Sequence, residues 1–278
     1  MSVVVKFWGV RGSIACPSPN YVQYGGHTSC IEVYSDQGEG QGHFILDAGT
    51  GLRPLGLDLA RRGVTRSVFL MTHTHWDHIC GFPFFAPAYQ PGGRFRVMAG
   101  HLSQNGGIRS VLASQMAQPT FPVPLGALHA DMSYEDFQAG ETLADLYPGV
   151  VVRTVPLNHP NGATGYRIEM GGKAVVLITD TEHVPGKPDQ NVLNLMQGAD
   201  LVIYDSTYTD AEFPAKVGWG HSTWQEGVRL ARQAGAGRLA IFHHDPDHDD
   251  AVMQEIEAQA AASWDNAFIA RDGLTITL

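Results

Sequence analysis

Short apolar runs bounded by turn-forming residues recur along the first half of the chain, at Val3–Trp8, Cys30–Tyr34, His43–Asp47, Ser67–Thr72 and Phe95–Ala99. Runs of this length with these boundaries predict strands. Between them, Leu52–Arg62 reads as a helix, with Leu55, Leu59 and Ala60 near one face, Arg61 and Arg62 in the last turn and Gly63 as its stop. A second helix is predicted over Ile108–Ala117, and Pro119, Pro122 and Pro124 forbid its continuation. The second half predicts strands at Val150–Val155, Gly165–Glu169, Ala174–Thr179, Leu201–Asp205, Arg238–Phe242 and Phe268–Ala270. Its helices are expected at Val192–Gln197, Trp224–Gln233 and Ala251–Ala262. Strands outnumber helices, and the halves, roughly 1–149 and 150–278, share a β-then-α layout. Two sheets packed face to face with helices outside fit this better than one doubly wound sheet. No Pro/Ser/Gly linker divides the halves, so one domain over 1–278 is expected.

With 278 residues, 44% of them apolar, the chain can bury a core without disulfide staples. Cys16, Cys30 and Cys80 are odd in number and form no CxxC pair, which argues against a disulfide framework or a thiolate zinc site. The apolar start, Met1–Gly12, has no long h-region or cleavage site, and no stretch reaches the about 18 apolar residues of a membrane span. A cytoplasmic protein without a membrane partner is expected. The charge, 18 − 28 = −10, excludes a broad electrostatic grip on a nucleic-acid backbone. A small phosphorylated substrate remains compatible, because bound metal would supply local positive charge.

The densest chemistry is Thr72-His73-Thr74-His75-Trp76-Asp77-His78, directly after the apolar Val68-Phe69-Leu70. In an extended segment His73 and His75 share one side, and Asp77 and His78 continue into a turn. Imidazole and carboxylate donors suit Zn, Mn or Fe. HxHxDH after a strand resembles the signature of the metallo-β-lactamase superfamily, which implies an αββα sandwich with a metal site between two mixed sheets. The remaining landmarks of that family occur in order: Asp47 on an earlier strand, His159 after Val151–Leu157, Asp180 ending a further strand, and His243 ending Leu239–Phe242. The resemblance implies two divalent metal ions, Zn first and Mn or Fe as alternatives. His73, His75 and His159 would bind one, Asp77, His78 and His243 the other, and Asp180 and a hydroxide would bridge them. Asp47 would stand behind the ligands. His243 is the better candidate for the last ligand because it directly ends the strand, with His244 as a supporting or alternative residue.

Within the superfamily, an Asp at the bridging position and His at the second motif position disfavour a β-lactamase or an oxygen-reducing di-iron protein. Gly220-His221-Ser222-Thr223, with His221 22 residues before His243, resembles the ribonuclease Z branch of phosphodiesterases. Thr223 and Glu226 form a capping-box pattern, so His221 would sit beside a helix N-terminus, suited to protonating a leaving oxygen. Asp205 occupies the place of a Glu that orients this His in ribonuclease Z-like enzymes. Asp77, Asp205 and His221 make up the expected catalytic set. Ribonuclease Z carries a long basic arm gripping transfer RNA, whereas Ile168–Ile178 leaves room only for a hairpin. Small stand-alone bacterial members are also similar, through Phe7–Ser13, Tyr24–Cys30, Gly218–Trp224 and Phe242–Pro246. The expected function is therefore a dinuclear phosphodiesterase for a small anionic phosphodiester such as a cyclic nucleotide, without stable nucleic-acid binding; the family resemblance makes a homodimer plausible. A carboxylic ester, lactone or thioester hydrolase and a non-catalytic metal-bound sensor are the alternatives.

Several other residues admit two readings. Phe82, Phe84, Phe85 and Tyr89 suit a pocket wall or the core. The proline-rich 115–125 segment suits a lid or a rigid loop. Arg11 suits a structural salt bridge more than a substrate phosphate. Asp245, Asp247, His248, Asp249 and Asp250 read as an acidic helix start rather than a second metal cluster.

Overall fold

The computed structural model describes residues 1–102 and 106–278. The first half supplies β1 (Val3–Gly9), β2 (Cys30–Ser35), β3 (His43–Leu46), β4 (Arg66–Met71), β5 (Arg94–Ala99) and β6 (Asp131–Asp136). The second supplies β7 (Thr142–Leu143), β8 (Val151–Leu157), β9 (Ala163–Met170), β10 (Lys173–Ile178), β11 (Leu201–Asp205), β12 (Leu239–Phe242) and β13 (Ala267–Ile269), and β14 (Thr275–Thr277) ends the chain. They form two seven-stranded sheets, ordered β14-β1-β2-β3-β4-β5-β6 and β13-β12-β11-β10-β9-β8-β7. In both, antiparallel neighbours give way to a parallel group, β3 to β6 in one and β10 to β13 in the other. The halves therefore share a layout, but the second sheet begins at β7, before residue 150, and β14 returns to the first sheet.

Alternation along the strands sorts side chains into layers. Phe44, Leu46 and Leu70 meet Val175, Leu177 and Phe242 between the sheets. Ile45, Phe69 and Met71 point outward, beneath α1 (Leu52–Arg62) and the helix later in that half. Val176, Ile178 and Ile241 do the same in the second sheet. With α2 (Trp76–Ile79), α3 (Gly107–Gln115), α4 (Gln190–Met196), α5 (Trp224–Gln233) and α6 (Asp250–Ser263), this is the expected α/β sandwich. Strands covered on both faces read as continuous apolar runs, which is why most were predictable.

Four elements were not. β6 is a polar edge strand, β7 has two residues, β14 has three, and α2 is a single turn carrying Asp77 and His78. The helix expected to reach Ala117 ends at Gln115. Among the described residues, no helix is long and apolar enough to cross a membrane.

Candidate metal centre

The parallel strands share a direction, so the residues following β3, β4, β10, β11 and β12 collect at one end of the sandwich. There the structure gathers His73, His75, His159 and Asp180 into one group and Asp77, His78 and His243 into another. Asp180 lies between them. Its Oδ2 is 3.5 Å from His73 Nε2 and 3.6 Å from His159 Nε2, and its Oδ1 is 3.4 Å from His78 Nε2 and 3.2 Å from His243 Nε2. Asp77 Oδ2 closes the second group, 3.2 Å from His78 Nε2 and 3.4 Å from His243 Nε2.

Ring nitrogens also face each other directly, His159 Nε2 against His75 Nδ1 at 3.0 Å and His78 Nε2 against His243 Nε2 at 3.3 Å. His73 Nε2 is buried with no hydrogen-bond partner among the described residues. Ring nitrogens crowded this closely against one another and against two carboxylates make a good cation cradle. Tetrahedral ligands about 2.0 Å from a cation lie about 3.3 Å from one another, which matches these spacings. The donor set fits divalent metal.

Four of these imidazoles, His73, His78, His159 and His243, are oriented through their other nitrogen, as metal-binding histidines require. Asp47, fully buried, accepts from His78 Nδ1 at 2.7 Å and from the Thr72 hydroxyl at 2.9 Å, and that hydroxyl accepts from His73 Nδ1 at 3.1 Å. Asp205 repeats the pattern in the second half. It accepts from His221 Nδ1 at 3.0 Å and from the Thr207 hydroxyl at 2.8 Å, which accepts from His243 Nδ1 at 3.0 Å. His159 Nδ1 donates to the Gly220 carbonyl at 2.8 Å. Thr72 and Thr207 gave no sequence signal, since an isolated threonine after a strand has many roles.

Burial lowers the pKa of His73, His75 and His159, keeping them neutral and able to donate a lone pair. Burial disfavours the charged Asp77 and Asp180, but the facing His78 and His243 outweigh it and hold both carboxyls low. His221 behaves differently. Burial works against its imidazolium, yet the Asp205 carboxylate, with Asp180 and Asp77 behind it, pushes it up to about 9.

Asp180, Asp205, His221 and His243 form a third close group. However, Asp205 already accepts from Thr181 N, Thr207 N, the Thr207 hydroxyl and His221. This leaves it a positioning part rather than a free donor. Glu182, which sequence reasoning missed, ties this region together. Its Oε2 accepts from Gly218 N at 2.7 Å and Gly220 N at 2.9 Å, and its backbone pairs with Asn158, beside His159.

Two sequence expectations change. His244 stands behind none of these side chains: its Nε2 donates to the Ala270 carbonyl at 2.9 Å, and among the described residues it belongs to no group of possible ligands. Arg11 makes no salt bridge among the described residues. It is fully buried, and its guanidinium donates to the carbonyls of Gly25, Asp245 and His248. The acidic run does start a helix, with Asp249 capping α6. Thr223 caps α5, but Glu226 turns its carboxylate to Arg229 instead of back to the cap. Phe82 and Phe85 are core, whereas Phe84 is 52% exposed. The 115–125 segment is held by Gln115 Nε2 on the Ile79 carbonyl, and Phe121 packs on Phe84.

A family model described as a beta-lactamase superfamily domain matches residues 43–244. The chain is 25% identical to a ribonuclease Z of Haloarcula marismortui over 314 aligned positions, covering 99% of this chain and 96% of that protein. Among solved structures, the metallo-beta-lactamase fold protein YhfI from Bacillus subtilis aligns at TM-score 0.74 and 19% identity, over 100% of this chain and 99% of that one. A diphosphatase from the PhnP family aligns at TM-score 0.71 and 19% identity, over 100% and 98%.

Proposed function

The chain belongs to the metallo-β-lactamase superfamily as a ribonuclease Z-like member, and from that premise we propose a dinuclear metal-dependent phosphodiesterase acting on a small phosphodiester such as a cyclic nucleotide. The observation that carries this reading is Asp180, whose two carboxylate oxygens each face a separate group of imidazole nitrogens. His73, His75 and His159 would hold one cation, Asp77, His78 and His243 the other, and Asp180 both. Bound divalent cations supply Lewis-acid charge for phosphoryl oxygens and acidify a water.

The remaining chemistry belongs to the chain itself. Asp205 fixes the His221 Nδ1–H, so the other ring nitrogen carries the proton for transfer to the departing oxygen. The raised pKa of His221 keeps that proton available near neutral pH. Asp47, Thr72 and Thr207 hold the ligand rings against rotation. A small substrate is favoured over a folded RNA because β9 and β10 are joined by Gly171-Gly172 alone, and because the charge is −10.

The test pairs metal analysis with a substrate panel of bis-aryl phosphates, cyclic nucleotides, lactones and thioesters. Two metal equivalents and phosphodiester cleavage support the proposal. Cleavage confined to lactones or thioesters would move the chain to carboxylic esters, and bound metal without any turnover would make it a sensor.

A further inference from the structure

The connection between β11 and α5 carries His221, and it holds two further polar groups that the proposed reaction leaves unused. Tyr208 is tied into the His221 loop twice, its N–H donating to the Ser222 carbonyl at 3.0 Å and its carbonyl accepting from Trp224 N at 3.2 Å. Its ring meets the His221 ring edge to face, with centroids 6.0 Å apart. The residue is only 3% exposed, and a tyrosine buried to that degree ordinarily finds a partner for its hydroxyl. This hydroxyl has none among the described residues. It is not sealed off like the orphaned His73 Nε2, so the little surface that Tyr208 keeps includes its oxygen.

Lys216 stands over the same ring. Its Nζ lies 5.4 Å from the Tyr208 ring centre and 4.6 Å from that of Trp219. The side chain is half-buried, and among the described residues it has no carboxylate at salt-bridge distance. The acidic groups of its own loop, and the one that clasps that loop, are engaged elsewhere. Asp210 accepts from Arg229 and Thr223, Glu212 from Thr209 and His248, and Glu182 from the Gly218 and Gly220 amides. Contact with two aromatic rings fixes where the ammonium stands but supplies no counter-charge. A chain of net charge −10 thus leaves a half-buried cation unpaired beside its proton donor, although burying an unpaired charge is costly.

We infer that Tyr208 and Lys216 form a subsite for a second phosphate group of the substrate, on the side of the departing oxygen. A hydroxyl and an ammonium held at one ring offer an anion a hydrogen bond and a charge at once. The side follows from His221: the group that protonates the leaving oxygen borders the leaving alcohol, and Tyr208 is its neighbour. The inference rests on the phosphodiesterase reading and narrows it to diesters whose leaving alcohol bears a phosphate, as in a dinucleotide with a terminal phosphate or a cyclic dinucleotide. Tyr208 and Lys216 then set specificity through binding and take no part in the proton transfer.

Titration calorimetry of the metal-loaded protein with thymidine 3′,5′-bisphosphate, thymidine 5′-phosphate and thymidine 3′-phosphate tests it without any turnover. The bisphosphate should bind about tenfold more tightly than either monophosphate, the scale of one charge-assisted contact. Lys216→Gln should close that gap, Lys216→Arg should keep most of it, and Tyr208→Phe should narrow it. In turnover, thymidylyl-thymidine carrying a terminal phosphate should show a KM about tenfold below that of the unphosphorylated dinucleotide, with similar kcat. That difference should vanish in Lys216→Gln. Equal binding of the three nucleotides to the wild type overturns the inference, and this comparison stands even if a variant fails to fold. Equal weakening of all three by Lys216→Gln overturns it as well, because Lys216 would then only hold Trp219 in place. A bisphosphate preference without cleavage of any phosphodiester would leave the subsite intact and sink the hydrolase reading. Cleavage of dinucleotides without any bisphosphate preference would do the reverse.

Discussion

Glu182 offers the sharpest check on how the site is held. Its carboxylate grips Gly218 N and Gly220 N, and the loop it holds passes Trp219 before reaching His221. Gly218 and Gly220 both have left-handed φ, at 90° and 85°, so the loop adopts a conformation that favours glycine. Glu182→Ala removes two charge-assisted hydrogen bonds, each worth about 1.5 kcal/mol where partly exposed. Other ties remain: the Gly220 carbonyl on His159, Ser222 on His183 and Tyr204, and the Thr223 cap. If these recover about half of the loss, roughly 1.4 kcal/mol of loop order disappears, and kcat for a phosphodiester falls about tenfold. Glu182→Gln retains one acceptor and should fall between the two. The assay is kcat beside metal content and the melting temperature. A variant that loses metal together with activity would show that Glu182 supports the ligands rather than His221. Unchanged kcat in Glu182→Ala would refute the reasoning outright.

His221→Ala should keep its full metal content and slow phosphodiester cleavage by about 10² or more, the scale of a general acid; unchanged turnover removes its assigned role, and loss of a metal equivalent would make it a ligand. Burial pushes the Asp272 carboxyl up to about 7 from its ordinary 3.8. The folded chain therefore keeps this proton while the unfolded chain loses it, and stability drains away as pH rises from about 4 to 7. Asp272→Asn should match wild type near pH 4 and exceed it by about 2 kcal/mol at pH 8, taking about 1.4 kcal/mol per unit and halving for partial exposure; parallel urea-unfolding profiles across that range would contradict this. Removing metal with a chelator should lower stability by about 4 kcal/mol if the ions are held at a thousandfold excess over their dissociation constant, and a melting temperature indifferent to the chelator would count against a metal centre.

What could be read from the chain followed from local repetition. Doubly covered strands such as Val68–Met71 announce themselves as apolar runs, and HxHxDH compresses four donors into six residues. Distant pairings left no such trace. β14 joins β1 across the whole chain, and its three residues alternate too briefly to register. Arg11 reads as a charge seeking a partner, yet its donors meet three carbonyls brought in from residues 25, 245 and 248. The Asp–Thr–His relays were half visible. Asp47 and Asp205 stood out as strand-end carboxylates, whereas the threonines that pass their hydrogen bonds to His73 and His243 did not.

The choice between His243 and His244 shows the same limit and its physical origin. In β12 the alternation places Ala240 and Phe242 between the sheets and Ile241 outside. Continued one residue further, it would send His243 outward and His244 inward, the reverse of what is seen. His243 instead has φ of 62°, a left-handed conformation costing a non-glycine residue roughly 1–2 kcal/mol. Asp47 after β3 and Asp180 two residues past β10 break alternation in the same way, at φ of 60° and 58°. All three would face the outer layers if their strands simply ran on, and all three lie in the cluster or directly behind it. Glycine would relieve the strain at each, but glycine carries no carboxylate or imidazole. Strain repeated at three strand ends, on three donor-bearing residues, is the signature of backbone shaped to aim side chains at a common point. The dense hydrogen bonds around Asp47 and Thr207 offset that cost, so the donors stand 3.0–3.6 Å apart as a consequence of the fold itself.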